Sequence, residues 1–148
     1  MAVHKNNQLI IEREVNASSD LVWKALTDYK ILKQWMPFFS DFNATVGFET
    51  RFKLGSDEEH QYVHLVKVLE VVPGEKLTYT WRYPDYAGDS HITFELFPDG
   101  EKTKVVLTHT ITEDFPADNP DFDKKNFAEG WTYTIDGLKK IVEKVSRT

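Results

Sequence analysis

Cysteine is absent from this chain. Disulfides, thiolate metal sites and cysteine nucleophiles are therefore excluded, and a reducing compartment suits the composition. No apolar run approaches the roughly 20 residues that a membrane helix needs. The first residues, MAVHKNNQLII, lack the apolar core of a secretory signal. The cytoplasm is the expected location, with no membrane insertion. A basic excess is missing too: 18 Lys and Arg stand against 24 Asp and Glu, a formal net charge of −6. An acidic chain without a basic block makes a poor partner for nucleic acid or an anionic membrane surface. What is abundant is aromatic, 14% of the 148 residues. That length predicts one domain over residues 1–148, able to bury about two-thirds of its unfolded surface.

The clearest periodic stretch is 126–145. Phe127, Trp131, Thr134, Ile135, Leu138, Ile141, Val142 and Val145 recur at spacings of three and four, which predicts one stripe on an α-helix. Lys139, Lys140 and Lys144 sit toward its C-terminal half, where cations complement the helix dipole. About twenty residues give roughly 30 Å of helix, enough to cover one face of a sheet. Gly130 and Gly137 lie at one edge of the stripe. Two readings stand for them: another backbone comes close, or the missing side chains leave room between helix and sheet.

The rest of the chain alternates as strands do. Residues 8–16 put Leu9, Ile11, Arg13 and Val15 on one face. Ser18 reads as an N-cap and Asp20 as a first-turn acid for a short helix bearing Leu21, Val22, Ala25 and Leu26. Asp28 caps a second short helix that runs to Trp35 and stops at Pro37. Residues 42–54 read as two strands meeting at Gly47, and 56–59 as a solvated acidic turn. Residues 60–72 form a long strand whose alternation slips at 68–71, which predicts a bulge. Pro73-Gly74 turns the chain. Leu77, Tyr79, Trp81 and Tyr83 alternate, then Ile92, Phe94 and Leu96, then Val105, Leu107, His109 and Ile111. A tight turn is expected at Pro98-Asp99-Gly100. Short turns between successive strands imply an antiparallel sheet, and six or seven twisted strands curl. The expected fold class is α+β: a curved antiparallel sheet gripping the long C-terminal helix, with two short helices after the first strand.

That order, with several local motifs, resembles the START-like superfamily, and within it the group related to the activator of the heat-shock-protein-90 ATPase. The motifs are Ala17-Ser18-Ser19 with residues 22–28, Trp35, residues 71–81, residues 103–109, Gly130-Trp131 and Leu138-Lys139. The chain departs from the usual family form near Gly47, where a pair of glycines is common. The resemblance implies a helix-grip fold that encloses a pocket. It does not choose among functions, because this superfamily hosts lipid carriers, hormone receptors, polyketide cyclases and co-chaperones.

The residues themselves narrow the chemistry. No metal site is expected from His4, His60, His64, His91 and His109: His60 and His64 fall on a strand, where four residues span roughly 13 Å. Asp118, Asp121 and Asp123 lack the glycine and distal glutamate of a calcium loop. No cofactor is implied. His109 shares the inward register of its strand, either as a hydrogen-bonded core residue or as a polar contact inside a cavity; it or a tyrosine is the candidate for proton transfer. His64 and Arg82 are weaker candidates of the same type. The candidate ligand-binding set is Trp35, Phe38, Phe52, His64, Tyr79, Trp81, Tyr83, Phe94, His109, Phe127, Trp131, Thr134 and Leu138. These rings either fill a core or line a cavity whose polar tips select a guest. Residues 115–122 and 84–89 are placed to cover its mouth. Three functions follow: binding of a small apolar or aromatic molecule, a cyclase- or hydratase-type reaction in the same cavity, or stimulation of a chaperone ATPase.

Overall fold

Five side chains of the C-terminal helix set the architecture. Phe127, Trp131, Ile135, Leu138 and Val142 are buried and follow one another at i+4, i+4, i+3 and i+4, the stripe that a helix presents to a sheet. The computed structural model describes residues 2–5, 7–55 and 58–146. Ser56 and Asp57 of the expected acidic turn, and the side chain of His4, lie outside the described residues.

The strands are β1 (Ala2–Lys5), β2 (Gln8–Val15), β3 (Glu49–Gly55), β4 (Gln61–Val72), β5 (Lys76–Thr80), β6 (Asp89–Asp99) and β7 (Lys102–Glu113). Helices α1 (Ser19–Thr27) and α2 (Tyr29–Trp35) follow β2, and α3 (Lys124–Ser146) follows a 3-10 turn at Pro120–Phe122. All strand pairs are antiparallel, in the order β1-β2-β7-β6-β5-β4-β3. This is the helix-grip arrangement.

Local chemistry explains the boundaries. The Ser18 side chain accepts from the Leu21 amide at 3.3 Å and starts α1. Asp28 ends α1 and caps α2, accepting from the Lys30 amide at 3.0 Å. In β4 the register shifts between Val68 and Glu70. Leu69 is the extra residue, 44% exposed, and the bulge increases the bend of the strand. Gly100, with φ +63°, opens the two-residue turn between β6 and β7.

Three expectations need correction. Residues 42–54 hold one strand, not two. Phe42 is buried, but the chain before Gly47 (φ +96°) is tied by side chains: Thr50 Oγ1 donates to Asp41, and Ser40 lies 3.1 Å from the same hydroxyl. The strand through Tyr83 stops at Thr80. There the Thr80 hydroxyl takes 2.9 Å from the Lys67 amide and gives 3.2 Å to the Leu65 carbonyl, so a side chain stands in the ladder. Pairing resumes only as a bridge between Leu65 and Arg82. Third, Pro98 pairs with Thr103 inside the hairpin rather than in its turn. An additional edge strand, β1, lies before the first expected one.

Two polar links seat α3 along β2. Arg13 Nε donates to Asp136 at 2.7 Å, and the Asn16 amide donates to Glu143 at 2.8 Å. Leu138 is fully buried under α3, so Leu138→Ala should lower unfolding stability by about 2–5 kcal/mol in urea denaturation. A loss below about 1 kcal/mol would mean the helix is not seated on that stripe.

Candidate functional site

Beside the buried stripe, α3 leaves a flank that the sheet does not cover. A cleft of about 1140 Å³ runs along it, bounded by the end of α2 with Pro37 and Phe38, and by the β3–β4 end of the sheet. Its size lies somewhat above the usual range of small-molecule sites, roughly 300–1,000 Å³. The two glycines of α3 behave differently here. A Cβ at Gly130 would meet no heavy atom within 4 Å, whereas one at Gly137 would touch Trp35 Cβ at 3.8 Å. Gly130 faces open space, and Gly137 faces Trp35 of α2 at ordinary contact distance.

The inner wall is aromatic: Phe38, Trp81, Tyr83, Phe122, Phe127 and Trp131. Trp81 and Trp131 meet edge to face at 4.6 Å between ring centres, joining sheet to helix. Trp35 completes the wall at α2, held by a 2.8 Å bond from Nε1 to the Ala25 carbonyl. Thr134 lines the cleft with its hydroxyl committed to the Gly130 carbonyl at 2.8 Å. The outer lip is polar and solvated. Gln34, Asn126, Glu129, Asp136, Lys140 and Lys144 stand there, with Tyr133 83% exposed.

Of the thirteen expected site residues, eight converge on the cleft: Trp35, Phe38, His64, Trp81, Tyr83, Phe127, Trp131 and Thr134. Phe52, Tyr79, Phe94 and Leu138 do not line it. They share the inward register but are covered: Phe39 packs against Phe52 and Tyr79, Trp35 against Phe94, and Leu138 lies inside the stripe. Burial raises the Tyr79 hydroxyl well above its ordinary pKa. His109 faces a separate void of about 10 Å³, lined by Asn7, Gln8, Leu9, Ile111, Lys124 and Phe127. Phe127 borders both spaces and divides them. Of the two expected covering segments, 115–122 sends Phe122 to the cleft with Phe115 packed behind it at 5.8 Å, whereas 84–89 does not line it and Tyr86 only packs on Phe122 at 5.2 Å.

Tyr62 was not anticipated. It belongs to the inward register of β4, packs on Phe122 at 5.0 Å, donates its hydroxyl to Asp121 and receives from Asn119 at 3.3 Å. The bond to Asp121 raises its pKa. Only the phase of β4 pointed to it, since Tyr62, His64, Val66 and Val68 alternate.

Among the described residues, two histidines are buried, His64 and His109. His64 Nδ1 lies 2.8 Å from the Tyr62 carbonyl, with Phe52 nearly parallel at 5.3 Å and Trp81 and Tyr83 edge-on at 5.0 and 4.7 Å. Burial pushes its pKa down to about 4, against the small opposing pull of that carbonyl. His109 packs on Phe127 at 4.9 Å, and its Nε2 is buried without a partner. Burial, aided by His91, pushes His109 down to about 3.

Both rings are therefore neutral in the folded protein at pH 7. Unfolded histidine binds its proton near 6.5. Below that, the unfolded state holds more protons, so stability falls as pH drops from about 6.5 toward 4 for His64 and 3 for His109. The limiting slope is about 1.4 kcal/mol per pH unit for each ring. Denaturant unfolding between pH 5 and 6.5, above most carboxylate titration, should show this slope. His109→Leu should reduce it by about one proton; an unchanged slope would mean that His109 titrates normally.

Among the described residues, no helix is long and apolar enough to cross a membrane. The fold recurs in solved structures. Protein CV1439 from Chromobacterium violaceum is 24% identical, with a TM-score of 0.77 over 94% of this chain and 99% of that one. A protein from Arthrobacter aurescens is 16% identical, with a TM-score of 0.80 over 97% of this chain and 91% of that one. DynU16, from the dynemicin biosynthetic locus, is 20% identical, with a TM-score of 0.75 over 96% of this chain and 49% of that one. No curated protein matches the chain. Residues 16–143 match the family described as activator of Hsp90 ATPase homolog 1-like protein. With most of its length inside that match, the chain belongs to this family of the START-like superfamily.

Proposed function

We propose that the cleft binds a small apolar or aromatic molecule. The observation that carries this is the ring-walled space of about 1140 Å³ beside the open Gly130 flank of α3. An apolar guest gains by leaving water there, and flat rings suit edges and faces of Phe38, Trp81 and Trp131. The site residues we assign to it are the eight expected ones that line the space, together with Tyr62 and Phe122. The contiguous core from Leu9 to Val142 supports treating residues 1–148 as one domain. The biosynthetic locus of DynU16 agrees with a small-molecule role for this fold.

The family's description favours a second reading, co-chaperone-like stimulation of a chaperone ATPase. An ATPase assay with purified chaperone tests it: no stimulation at high concentration removes it. A cyclase or hydratase that used His109 loses its geometry, because that ring faces the other side of Phe127.

Thermal-shift screening against flavonoids, fatty acids and fused-ring polyketide-like compounds tests the binding reading. A ligand at 100 times its Kd stabilises by about 2.7 kcal/mol, on the order of 5–10 °C for this size. Gly130→Leu should abolish the shift by filling the cleft, with an unfolding stability within about 1 kcal/mol of wild type, since no neighbour is displaced. Shifts that persist in the variant would place the ligand elsewhere.

A further inference from the structure

We infer that His64 makes the cleft selective for neutral aromatic alcohols, by accepting the ligand hydroxyl hydrogen at Nε2. This rests on the cleft being a ligand site, as proposed above, and adds the chemical class.

The assignment follows from which atoms are already engaged. His64 Nδ1 is 2.8 Å from the Tyr62 carbonyl oxygen. A carbonyl can only accept, so Nδ1 carries the hydrogen. A neutral ring has one N–H, and Nε2 is then left with a lone pair and no hydrogen to give. Among the described residues Nε2 has no hydrogen-bond partner, and unlike Nε2 of His109 it is not sealed from solvent. The space beside the ring is the cleft itself. The ring is also held: Phe52 lies along one face, while Trp81 and Tyr83 meet it edge to face. It cannot easily turn to offer Nδ1 instead without leaving the Tyr62 carbonyl.

An occupant of the cleft displaces the water that Nε2 can reach. A guest with an O–H pointing at Nε2 restores the lost bond. A guest of the same shape without a donor leaves a buried acceptor unpaired, which penalises it. A carboxylate at that position would set its oxygen lone pairs against that of Nε2 and is disfavoured. The surrounding rings provide stacking and edge contacts for an aromatic body. The low proton affinity of His64 keeps the acceptor available at neutral pH.

The test uses the full chain at pH 7 with 2-naphthol, 2-methoxynaphthalene and naphthalene, followed by calorimetry. The methoxy compound keeps the oxygen and loses only the donor. Wild type should bind 2-naphthol at least about tenfold more tightly than 2-methoxynaphthalene. His64→Phe should bring the affinities for 2-naphthol and 2-methoxynaphthalene within about twofold of each other. Nitrogen-15 NMR of the wild type needs no variant: Nε2 of His64 should report an unprotonated nitrogen that shifts on adding 2-naphthol and not on adding naphthalene. Equal wild-type affinity for 2-naphthol and its methyl ether would overturn the role of His64 and leave the cleft as a ligand site. So would a donor preference that survives in His64→Phe. Failure of all three compounds to bind would overturn both readings.

Discussion

The contact on which the rest of this molecule depends is the seating of α3 on the curled sheet through a narrow stripe. Five buried side chains carry it, with Trp131 against Trp81 as the contact between helix and sheet. Apolar burial at that stripe stabilises the fold by the usual non-directional driving force. The direction comes from polar links at one margin, Arg13 to Asp136 and the Asn16 amide to Glu143. Those links lie on the β2 side. On the cleft flank the helix is held by rings, Trp81 against Trp131 and Trp35 beside Gly137, and Gly130 supplies no side chain to fill the gap.

The sheet contributes the other wall by failing to stay regular. A bulge at Leu69 bends β4, and the Thr80 hydroxyl replaces a stretch of backbone pairing between β4 and the chain after β5. Beyond that point Trp81 and Tyr83 still face inward, yet they are no longer packed into the regular ladder. His64 and Tyr62 come from the same end of β4. The rings that line the cleft and the irregularities that loosen the strands therefore coincide. That coincidence also separates the two histidines. His64 sits where the sheet opens, and His109 sits under Phe127 in the regular part, enclosed and unpartnered on one nitrogen.

Much of the fold was legible in the residues. The stripe of α3 follows from spacing, the caps from Ser18 and Asp28, and the bulge from the slip in alternation at 68–71. The failures have physical causes. Phe42, Val46 and Phe48 alternate as a strand would, but Asp41, Ser40 and Thr50 bond to each other and carry the chain across instead. At Thr80 a threonine that looks like any strand residue turned its hydroxyl onto the neighbouring backbone. For the site, alternation could place Phe52, Tyr79, Phe94, Trp81 and Tyr83 on one face and no more. A ring packed beneath Phe39 and a ring facing open space have the same register.

Sequence alone determined most of the secondary elements, their order and the set of inward rings, because those depend mainly on neighbours within a turn or a pleat. Tertiary structure alone decided which rings are covered, which glycine faces a neighbour and which faces space, and which histidine meets the cleft. Such questions are settled by gaps between elements far apart along the chain, and a gap of a few ångströms has no signature in local periodicity.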